Sequence, residues 1–339
     1  MTKLIVQIPC YNEAGSLTET VADIPRKIDG IDVVEVLIID DGSIDDTIEV
    51  AKAAGVDHIV RNKSNKGLAR TFSHGLKACL ERGADIIVNT DGDNQYSGAS
   101  IIDLVKPILE GRADIVVGDR GTSEIEHFSP LKKRLQSLGS AVVRQLSGLD
   151  VADAVSGFRA YSREAAMRTN VVSNFSYTVE TLIQAGNSDM TVLSVPVDTN
   201  PQLRESRLAK SMSSFIRKQV LTMIRSYAMY RALHFFTLVS LILIGVGLLP
   251  IIRFLILFMI GEGQGNIQSL ILGGVLIVLG VITFAVALLA DAVAVSRKLQ
   301  EQTLEAVRRM ELATMEPPTE APKPRARKTP AKRTAKVET

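Results

Sequence analysis

The chain of 339 residues has no tryptophan, only two cysteines and only four histidines. Two cysteines, Cys10 and Cys79, are too few for the disulfide framework of a small secreted protein, so they indicate a reducing compartment. The histidines lie far apart and in no metal-ligand spacing, which argues against a histidine-based zinc site. We therefore expect structural or surface roles for His58, His74, His127 and His234.

The chain also lacks a strong charge of either sign, because its formal net charge is +2. The final segment, 316–339, holds seven Lys and Arg residues against three acids, a local charge of +4 that leaves −2 for the rest. This segment is rich in Pro, Ala, Lys and Arg, which predicts disorder and allows contact with anionic lipid headgroups. No folded basic module accompanies it, so we expect no nucleic-acid partner.

Two long apolar runs stand near the C-terminal end. Residues 235–252 carry no charge, the apolar character resumes after Arg253, and residues 270–290 are again free of charge. About 20 apolar residues cross a bilayer as a helix, so each run is a predicted span. The alternative is a pair of buried core helices. Arg253 either snorkels to the far interface or marks the end of the first span.

The distribution of basic residues predicts how the spans are oriented. The short link between them is polar and holds no Lys or Arg, whereas basic residues precede the first span and follow the second. The positive-inside rule then places both termini and the large N-terminal domain in the cytoplasm, as in a multi-pass protein of the cytoplasmic membrane. Residues 4–8 are too short for a signal peptide, so none is expected.

The N-terminal part alternates between apolar runs rich in Ile and Val and segments of helical character. This order predicts an α/β fold with a mainly parallel, Rossmann-like sheet, in which ligands bind at the carboxyl ends of the strands. The predicted strands are 3–9, 34–39, 85–90 and 114–118, and the predicted helices lie near 14–27, 45–54, 67–82 and 99–110.

One of these strands runs directly into two carboxylates, Asp91 and Asp93, separated by Gly92. Held at a sheet edge, both can reach one hard cation, and oxygen ligands of this kind suit Mg²⁺ or Mn²⁺. The alternative is a solvated Asp-Gly-Asp turn.

Polar residues also follow the first two predicted strands. Asp41 can accept hydrogen bonds from a nucleobase while Ser43 caps the next helix. Asn12 can simply hold a turn, and Glu13 can cap or start a helix. These alternatives stay open on chemistry alone.

Five motifs in this order resemble a known family: Pro9-x-Tyr11-Asn12-Glu13, Asp40-Asp41-Gly42-Ser43, Asn65-x-Gly67, Asp91-x-Asp93-x-Gln95 and Ser156-Gly157-Phe158-Arg159. The chain resembles the family 2 glycosyltransferases with a GT-A fold. More narrowly, it is similar to the polyprenyl-phosphate glycosyltransferases, which include dolichol-phosphate mannose synthases and bacterial undecaprenyl-phosphate glucosyltransferases. The resemblance covers residues 3–295, including the paired spans.

The resemblance implies a site for a nucleotide-sugar donor, a UDP- or GDP-hexose. The metal-bound diphosphate would be held by Asp91, Asp93 and Gln95. The residues implied in donor binding are Pro9, Tyr11, Asn12, Glu13, Asp41, Asp91, Gly92, Asp93 and Arg120.

It also implies a site for the phosphate of a polyprenyl phosphate acceptor. Segment 204–208 resembles a Gly-Glu-Ser-Lys-Leu motif, with arginines in place of the Gly and the Lys; arginine keeps the charge of Lys but offers a bidentate fork. The implied acceptor residues are Lys133, Arg159, Arg204, Ser206 and Arg207. Alternatives are an exposed helix face for Lys133 and an ion pair with Asp153 for Arg159.

The implied reaction is an inverting sugar transfer, giving a β-linked lipid-phosphate sugar from an α-linked donor for cell-envelope glycan or protein glycosylation. The implied catalytic residues are Asp91, Asp93 and Asp153. An anionic phosphate hardly needs a general base, so we expect Asp153 to orient the sugar or an Arg.

Two rivals remain. A processive polysaccharide synthase would carry a Gln-x-x-Arg-Trp motif and more spans, but this chain has no Trp. A non-catalytic membrane scaffold with a decayed transferase domain is disfavoured because the motifs are intact.

The predicted organisation has seven parts. Segment 209–232 alternates apolar and basic residues, as an interfacial amphipathic helix would; packing on the catalytic domain is the alternative. Short membrane hairpins often self-associate, so a homo-oligomer is compatible with this organisation. The parts are a catalytic GT-A domain (1–208), the amphipathic helix (209–232), a first span (233–260), an outer loop (261–267), a second span (268–292), a cytoplasmic helix (293–315) and a disordered tail (316–339).

Overall fold

Seven strands of the described residues form one sheet, in the order β3-β2-β1-β4-β6-β5-β7, and most of these strands are runs rich in Ile and Val. The computed structural model describes residues 1–121, 140–172, 177–200, 220–221, 224–225, 227–228, 231–261 and 266–315. All described strand pairs are parallel except those of β6, which runs antiparallel to both neighbours. The strands are β1 (Lys3–Cys10), β2 (Val33–Asp40), β3 (His58–Arg61), β4 (Ile86–Asn89), β5 (Ile115–Asp119), β6 (Arg159–Ser162) and β7 (Val192–Pro196).

Helices cover both faces of the sheet, which explains why its central strands are apolar without alternation. In β1, Leu4, Val6 and Ile8 pack in one core, whereas Ile5 packs in the other. Six helices of this domain have both ends within the described residues: α1 (Leu17–Asp23), α2 (Thr47–Ala53), α3 (Leu68–Glu81), α4 (Ile101–Leu109), α5 (Arg163–Arg168) and α6 (Thr178–Asn187).

The predicted α/β class and mainly parallel sheet are confirmed. All four predicted strands and all four predicted helices are present, with boundaries shifted by a few residues. The strands β3, β6 and β7 were not predicted. Strand β6 reads Arg-Ala-Tyr-Ser, a segment without Ile or Val that is recognisable only from its pairing with β4 and β5.

Two long apolar helices follow, α7 (Ala232–Met259) and α8 (Ile267–Met315), both long and apolar enough to cross a membrane. They pack closely where glycines face the partner helix: a Cβ at Gly247 would lie 2.9 Å from Leu276, and one at Gly280 would lie 2.5 Å from Ile244. The Ser240 hydroxyl donates to the Gly280 carbonyl at 2.7 Å. The two helices run antiparallel, and Ser240 lies beside Gly280. Arg253, further along α7, therefore lies beside the start of α8, at the end of the hairpin where the two helices are connected.

Candidate active site

A buried polar network supports the turn that follows β4. The Asn89 side chain, at the last position of that strand, accepts from Gln7 Nε2 at 2.9 Å. Its own Nδ2 donates to the Tyr177 hydroxyl and to the Gly157 carbonyl, both at 2.8 Å. All three polar side chains are fully buried, so the network rigidly joins β1, β4 and the loop before β6.

The turn places Asp91, Gly92 and Asp93 together at the carboxyl edge of the sheet. Asp93 Oδ1 accepts from the backbone N–H of Gln95 at 3.2 Å, which closes the turn. Burial, together with the charge of Asp93, raises the pKa of the Asp91 carboxyl to about 7. A buried carboxyl group whose ionisation is disfavoured in this way favours a cation beside it.

The donor atoms present fit a hard divalent cation. Among the described residues, no group of three or more His, Cys, Asp or Glu side chains forms a complete metal cage. Mg²⁺ characteristically binds one or two carboxylates and completes its octahedron with water and substrate phosphates. The pair Asp91 and Asp93 has this character, and a bound cation would reverse the upward shift in the pKa of Asp91.

The loops after β1 and β2 are joined to each other beside this turn. The backbone N–H of Asn12 donates to Ser43 Oγ at 2.9 Å, and Asn12 Oδ1 accepts from the N–H of Ile44 at 2.9 Å. The N–H of Glu13 donates to Thr47 Oγ1 at 2.9 Å. Ser43 therefore holds Asn12. The N-cap position of α2 is Asp46, whose side chain makes no capping hydrogen bond, so the prediction that Ser43 caps this helix is wrong.

Glu13 lies beside the carboxylate turn. A Cβ on Gly92 would stand 3.2 Å from Glu13 Cγ and 3.3 Å from Cys10 Sγ. Pro9 is buried next to the end of β1, and Tyr11 leaves the strand with 39% of its surface exposed. Pro9, Tyr11 and Glu13 thus lie at the same edge of the sheet as Asp91.

Asp41 is almost fully buried and orders the loop that leads to α3. Its Oδ1 accepts from Asn62 Nδ2 at 2.8 Å and from the N–H of Lys66 at 2.9 Å. Its Oδ2 accepts from the N–H of Gly67 at 2.9 Å. Since a carboxylate offers about four acceptor positions, these three bonds leave capacity on Oδ2.

A buried ion pair joins Arg120 to Asp153. Arg120 Nε donates to Asp153 Oδ2 at 2.6 Å and Nη2 donates to Oδ1 at 3.1 Å. The Asp153 side chain is 0% exposed, and the guanidinium lies 5.9 Å from the centre of the Tyr96 ring. Asp153 thus orients an arginine, as expected, but that arginine is Arg120 and not Arg159.

Arg159 cannot bind an acceptor phosphate in this structure, so its predicted role is wrong. Its side chain is fully buried. It donates to three carbonyl groups and one hydroxyl, at 2.8–2.9 Å. Every nitrogen of the guanidinium has a partner, and these acceptors are Ala154, Ser156, Thr178 and Thr181.

The other predicted acceptor residues, Lys133, Arg204, Ser206 and Arg207, lie outside the described residues. The sequence interpretation missed the supporting residues Asn89 and Tyr96, and it named Gly157 only as part of a motif. An asparagine closing an otherwise apolar buried strand was the available signal for Asn89, because a buried amide needs partners.

Comparison with known proteins agrees with this arrangement. Residues 5–169 match the glycosyl transferase family 2 profile. A UDP-N-acetylglucosamine–dolichyl-phosphate N-acetylglucosaminyltransferase of Methanococcus voltae is 28% identical, over 57% of this chain and 83% of its own. An undecaprenyl-phosphate mannosyltransferase of Micrococcus luteus is 25% identical, over 61% of this chain and 88% of its own.

Solved structures show the same fold. Glucosyl-3-phosphoglycerate synthase from Mycobacterium tuberculosis, solved with Mn²⁺, UDP and glucosyl-3-phosphoglycerate, superposes with a TM-score of 0.54 at 21% identity. The superposition covers 67% of this chain and 80% of that one. The fold is therefore of the GT-A type, and residues 5–169 form a glycosyl transferase family 2 domain.

Proposed function

We propose that this chain transfers a hexose from a UDP- or GDP-sugar to the phosphate of a polyprenyl phosphate, at the cytoplasmic surface of a membrane. The observation that carries the proposal is the combination, in one chain, of a carboxylate pair at the sheet's carboxyl edge and a two-helix apolar hairpin. The relatives named above, which act on dolichyl and undecaprenyl phosphate, support the acceptor class.

On the donor side, Asp91 and Asp93, with Gln95 in the same turn, would hold Mg²⁺ or Mn²⁺. When bound, such an ion neutralises the charge that develops on the leaving diphosphate. Arg120 supplies a further positive charge from the protein itself, fixed in place by Asp153.

The nucleoside would lie across the loops after β1 and β2. The remaining acceptor position of Asp41 suits an imide N–H of uracil or the corresponding N–H of guanine. Tyr11, which is 39% exposed, would stack on the base. Pro9, Asn12, Glu13 and Gly92 shape the floor of this pocket through the loop contacts described above.

In the transfer step, an acceptor phosphate oxygen attacks the anomeric carbon. The bond from that carbon to the diphosphate oxygen breaks, and the nucleoside diphosphate leaves with the electron pair. No proton has to be removed, because the attacking oxygen is already anionic. This agrees with an Asp153 carboxylate whose two oxygens are engaged by Arg120. Attack opposite the leaving group inverts the anomeric centre.

The acceptor phosphate would be bound by Lys133, Arg204, Ser206 and Arg207, on the strength of their motif positions. Charge-assisted bonds from arginine or lysine to phosphate are among the strongest hydrogen bonds available to a protein. The described residues just before the hairpin include exposed apolar side chains at Val220, Leu221 and Ile224, which suit an interfacial helix.

The decisive experiment is a transfer assay with the purified full chain in detergent. A panel of UDP- and GDP-sugars is offered with undecaprenyl or dolichyl phosphate and Mg²⁺ or Mn²⁺, and labelled glycolipid is separated by chromatography. We expect one donor to give a polyprenyl-phosphate monosaccharide with inverted configuration. Binding of a nucleotide-sugar without transfer to either lipid would instead support the scaffold alternative.

A further inference from the structure

Helix α8 does not end where its apolar run ends. Its charge-free stretch stops at Ala290, and Asp291 is the first charged residue after it. The helix then continues without a break to Met315. At 1.5 Å per residue, the segment 291–315 reaches about 37 Å beyond the apolar part. We call this segment the strut.

The strut is fastened to the catalytic domain through Arg308. Its Nη1 donates to the Met167 carbonyl at 2.6 Å and to the Thr169 carbonyl at 3.3 Å. Both carbonyls lie at the C-terminal end of α5, where backbone acceptors lack helical partners and a cation is favourable. Leu312, one turn further on, is only 8% exposed and packs in the domain core.

Ion pairs fix which turn of the strut meets α5. Glu305 lies 3.6 Å from Arg168 and 2.9 Å from Arg309, and Arg309 also pairs with Glu164. The pair between Arg309 and Glu164 is exposed and contributes little to stability. Its effect is to fix the rotation of the strut about its own axis, because these contacts form only when positions 305, 308, 309 and 312 face the domain together.

The strut contacts the end of the domain that is opposite the carboxylate turn. The N–H of Arg163, the first residue of α5, donates to the Asp85 carbonyl, just before β4 begins. From Asp85 to Asn89 the strand rises about 13 Å, and the turn with Asp91 follows beyond its end. From Asp291 to Glu305 the strut rises about 21 Å. Because the strut holds the domain at the end opposite the carboxylate turn, the level at which it holds α5 also sets the level of that turn.

We propose that the strut sets the height of the sugar-transfer site above the membrane, with Glu305, Arg308 and Arg309 as positioning residues. The polyprenyl phosphate headgroup lies at a fixed depth, so the site must be held at a matching level. This inference rests on the proposed function for the identity of the acceptor, but the height itself is measurable without activity.

The test inserts seven helix-forming residues after Val295, which lengthens the strut by about 10 Å and returns nearly to the same helix face. The same seven residues inserted after Met315, beyond the contacts, form the control. A dye on Ile44→Cys reports the height by energy transfer to labelled headgroups in vesicles. Ile44 is 89% exposed at the carboxyl edge, and both native cysteines are buried, so the label is selective.

We expect energy transfer to fall for the first insertion and to stay unchanged for the control. Transfer of sugar to long-chain polyprenyl phosphate in vesicles should fall by about tenfold or more, since small misplacements of reacting groups have large effects. The rate on a short, soluble analogue and the KM for the nucleotide-sugar should not change. Arg308→Ala should raise the KM for the long-chain lipid, and Arg308→Lys should recover part of the loss.

Unchanged energy transfer after the Val295 insertion would overturn the inference that the strut sets the height of the site, whatever the insertion does to sugar transfer. Equal loss on the long and the short acceptor would also overturn it, because the helix would then only stabilise the domain. If the unmodified protein transfers sugar to neither acceptor, but the Val295 insertion still lowers energy transfer, the inference about the strut is supported and the proposed function is refuted.

Discussion

The backbone of Gly157 lies directly against the carboxylate of Asp91. A Cβ at position 157 would stand 3.2 Å from Asp91 Oδ1 and 2.9 Å from the Tyr177 hydroxyl. Tyr177 cannot move away easily, because its ring stacks on Phe72 at 3.8 Å and its hydroxyl accepts from Asn89. A methyl group at this position must therefore displace the Asp91 carboxylate.

We expect Gly157→Ala to lower kcat/KM for the nucleotide-sugar strongly while it reduces the unfolding free energy only moderately. Overpacking at a confined site costs about 1–3 kcal/mol of unfolding free energy. Displacing a carboxylate of the proposed metal site should lower kcat/KM for the nucleotide-sugar by at least about tenfold and weaken metal binding. Steady-state kinetics at varied Mn²⁺ concentration measures both. Gly15→Ala, where a Cβ has nothing within 4 Å, is the control; equal effects of the two variants would contradict the assignment.

Asp91→Asn and Asp93→Asn should each remove most metal-dependent transfer while the protein stays folded. Losing one interaction with the developing charge raises the barrier by about 2.7–4 kcal/mol, a 10²–10³-fold fall in kcat. Both residues lie in a turn at the sheet edge, so the melting temperature should change little. Asp103→Asn, an exposed carboxylate on α4, should behave like the unmodified protein. Near-normal turnover of either site variant in the presence of EDTA would refute the metal site.

Removal of Arg120 should destabilise the protein as well as inactivate it. Arg120→Met leaves the fully buried Asp153 carboxylate without its bidentate partner, which costs about 3–5 kcal/mol of unfolding free energy. In Arg120→Met combined with Asp153→Leu, the buried charge is gone, so most of that loss should be recovered. Sugar transfer should stay low in both, since the proposed positive charge near the diphosphate is missing in both. Urea unfolding separates the two effects; a double variant that recovers activity together with stability would contradict the catalytic part.

The sequence predicted those parts of the site that follow from local order along the chain. Asp91 and Asp93 were predictable because an apolar strand and a turn place them at a sheet edge. The partners of Asp41 were not, since Asn62, Lys66 and Gly67 follow more than twenty residues later, after β3. Strand β6 was missed for the same reason, because it has no run of Ile or Val and only its pairing with β4 and β5 makes it a strand. Strands β3 and β7 contain Ile, Leu or Val, but they are only four and five residues long and lie at the two edges of the sheet.

Arg159 shows the limit most clearly, because motif position and charge both suggested a phosphate ligand. Its acceptors come from the loop at 154–156 and from α6, and the sheet places both around the first residue of β6. From the sequence alone, a charged residue at the start of a strand is expected to be exposed to solvent when no hydrogen-bond partner can be identified for it. Only the fold reveals that it is enclosed.

The same burial gives a prediction that separates the two roles of Arg159. Arg159→Lys keeps the charge but cannot reach all four acceptors, so several buried carbonyl groups lose their partner. Each unsatisfied buried group costs about 1–3 kcal/mol, and we expect a large fall in the urea midpoint. The KM for polyprenyl phosphate in the folded fraction should stay unchanged. Arg112→Lys, at a half-exposed surface pair, should alter neither quantity. Full stability of Arg159→Lys combined with a raised KM for the lipid would instead return this residue to the acceptor site.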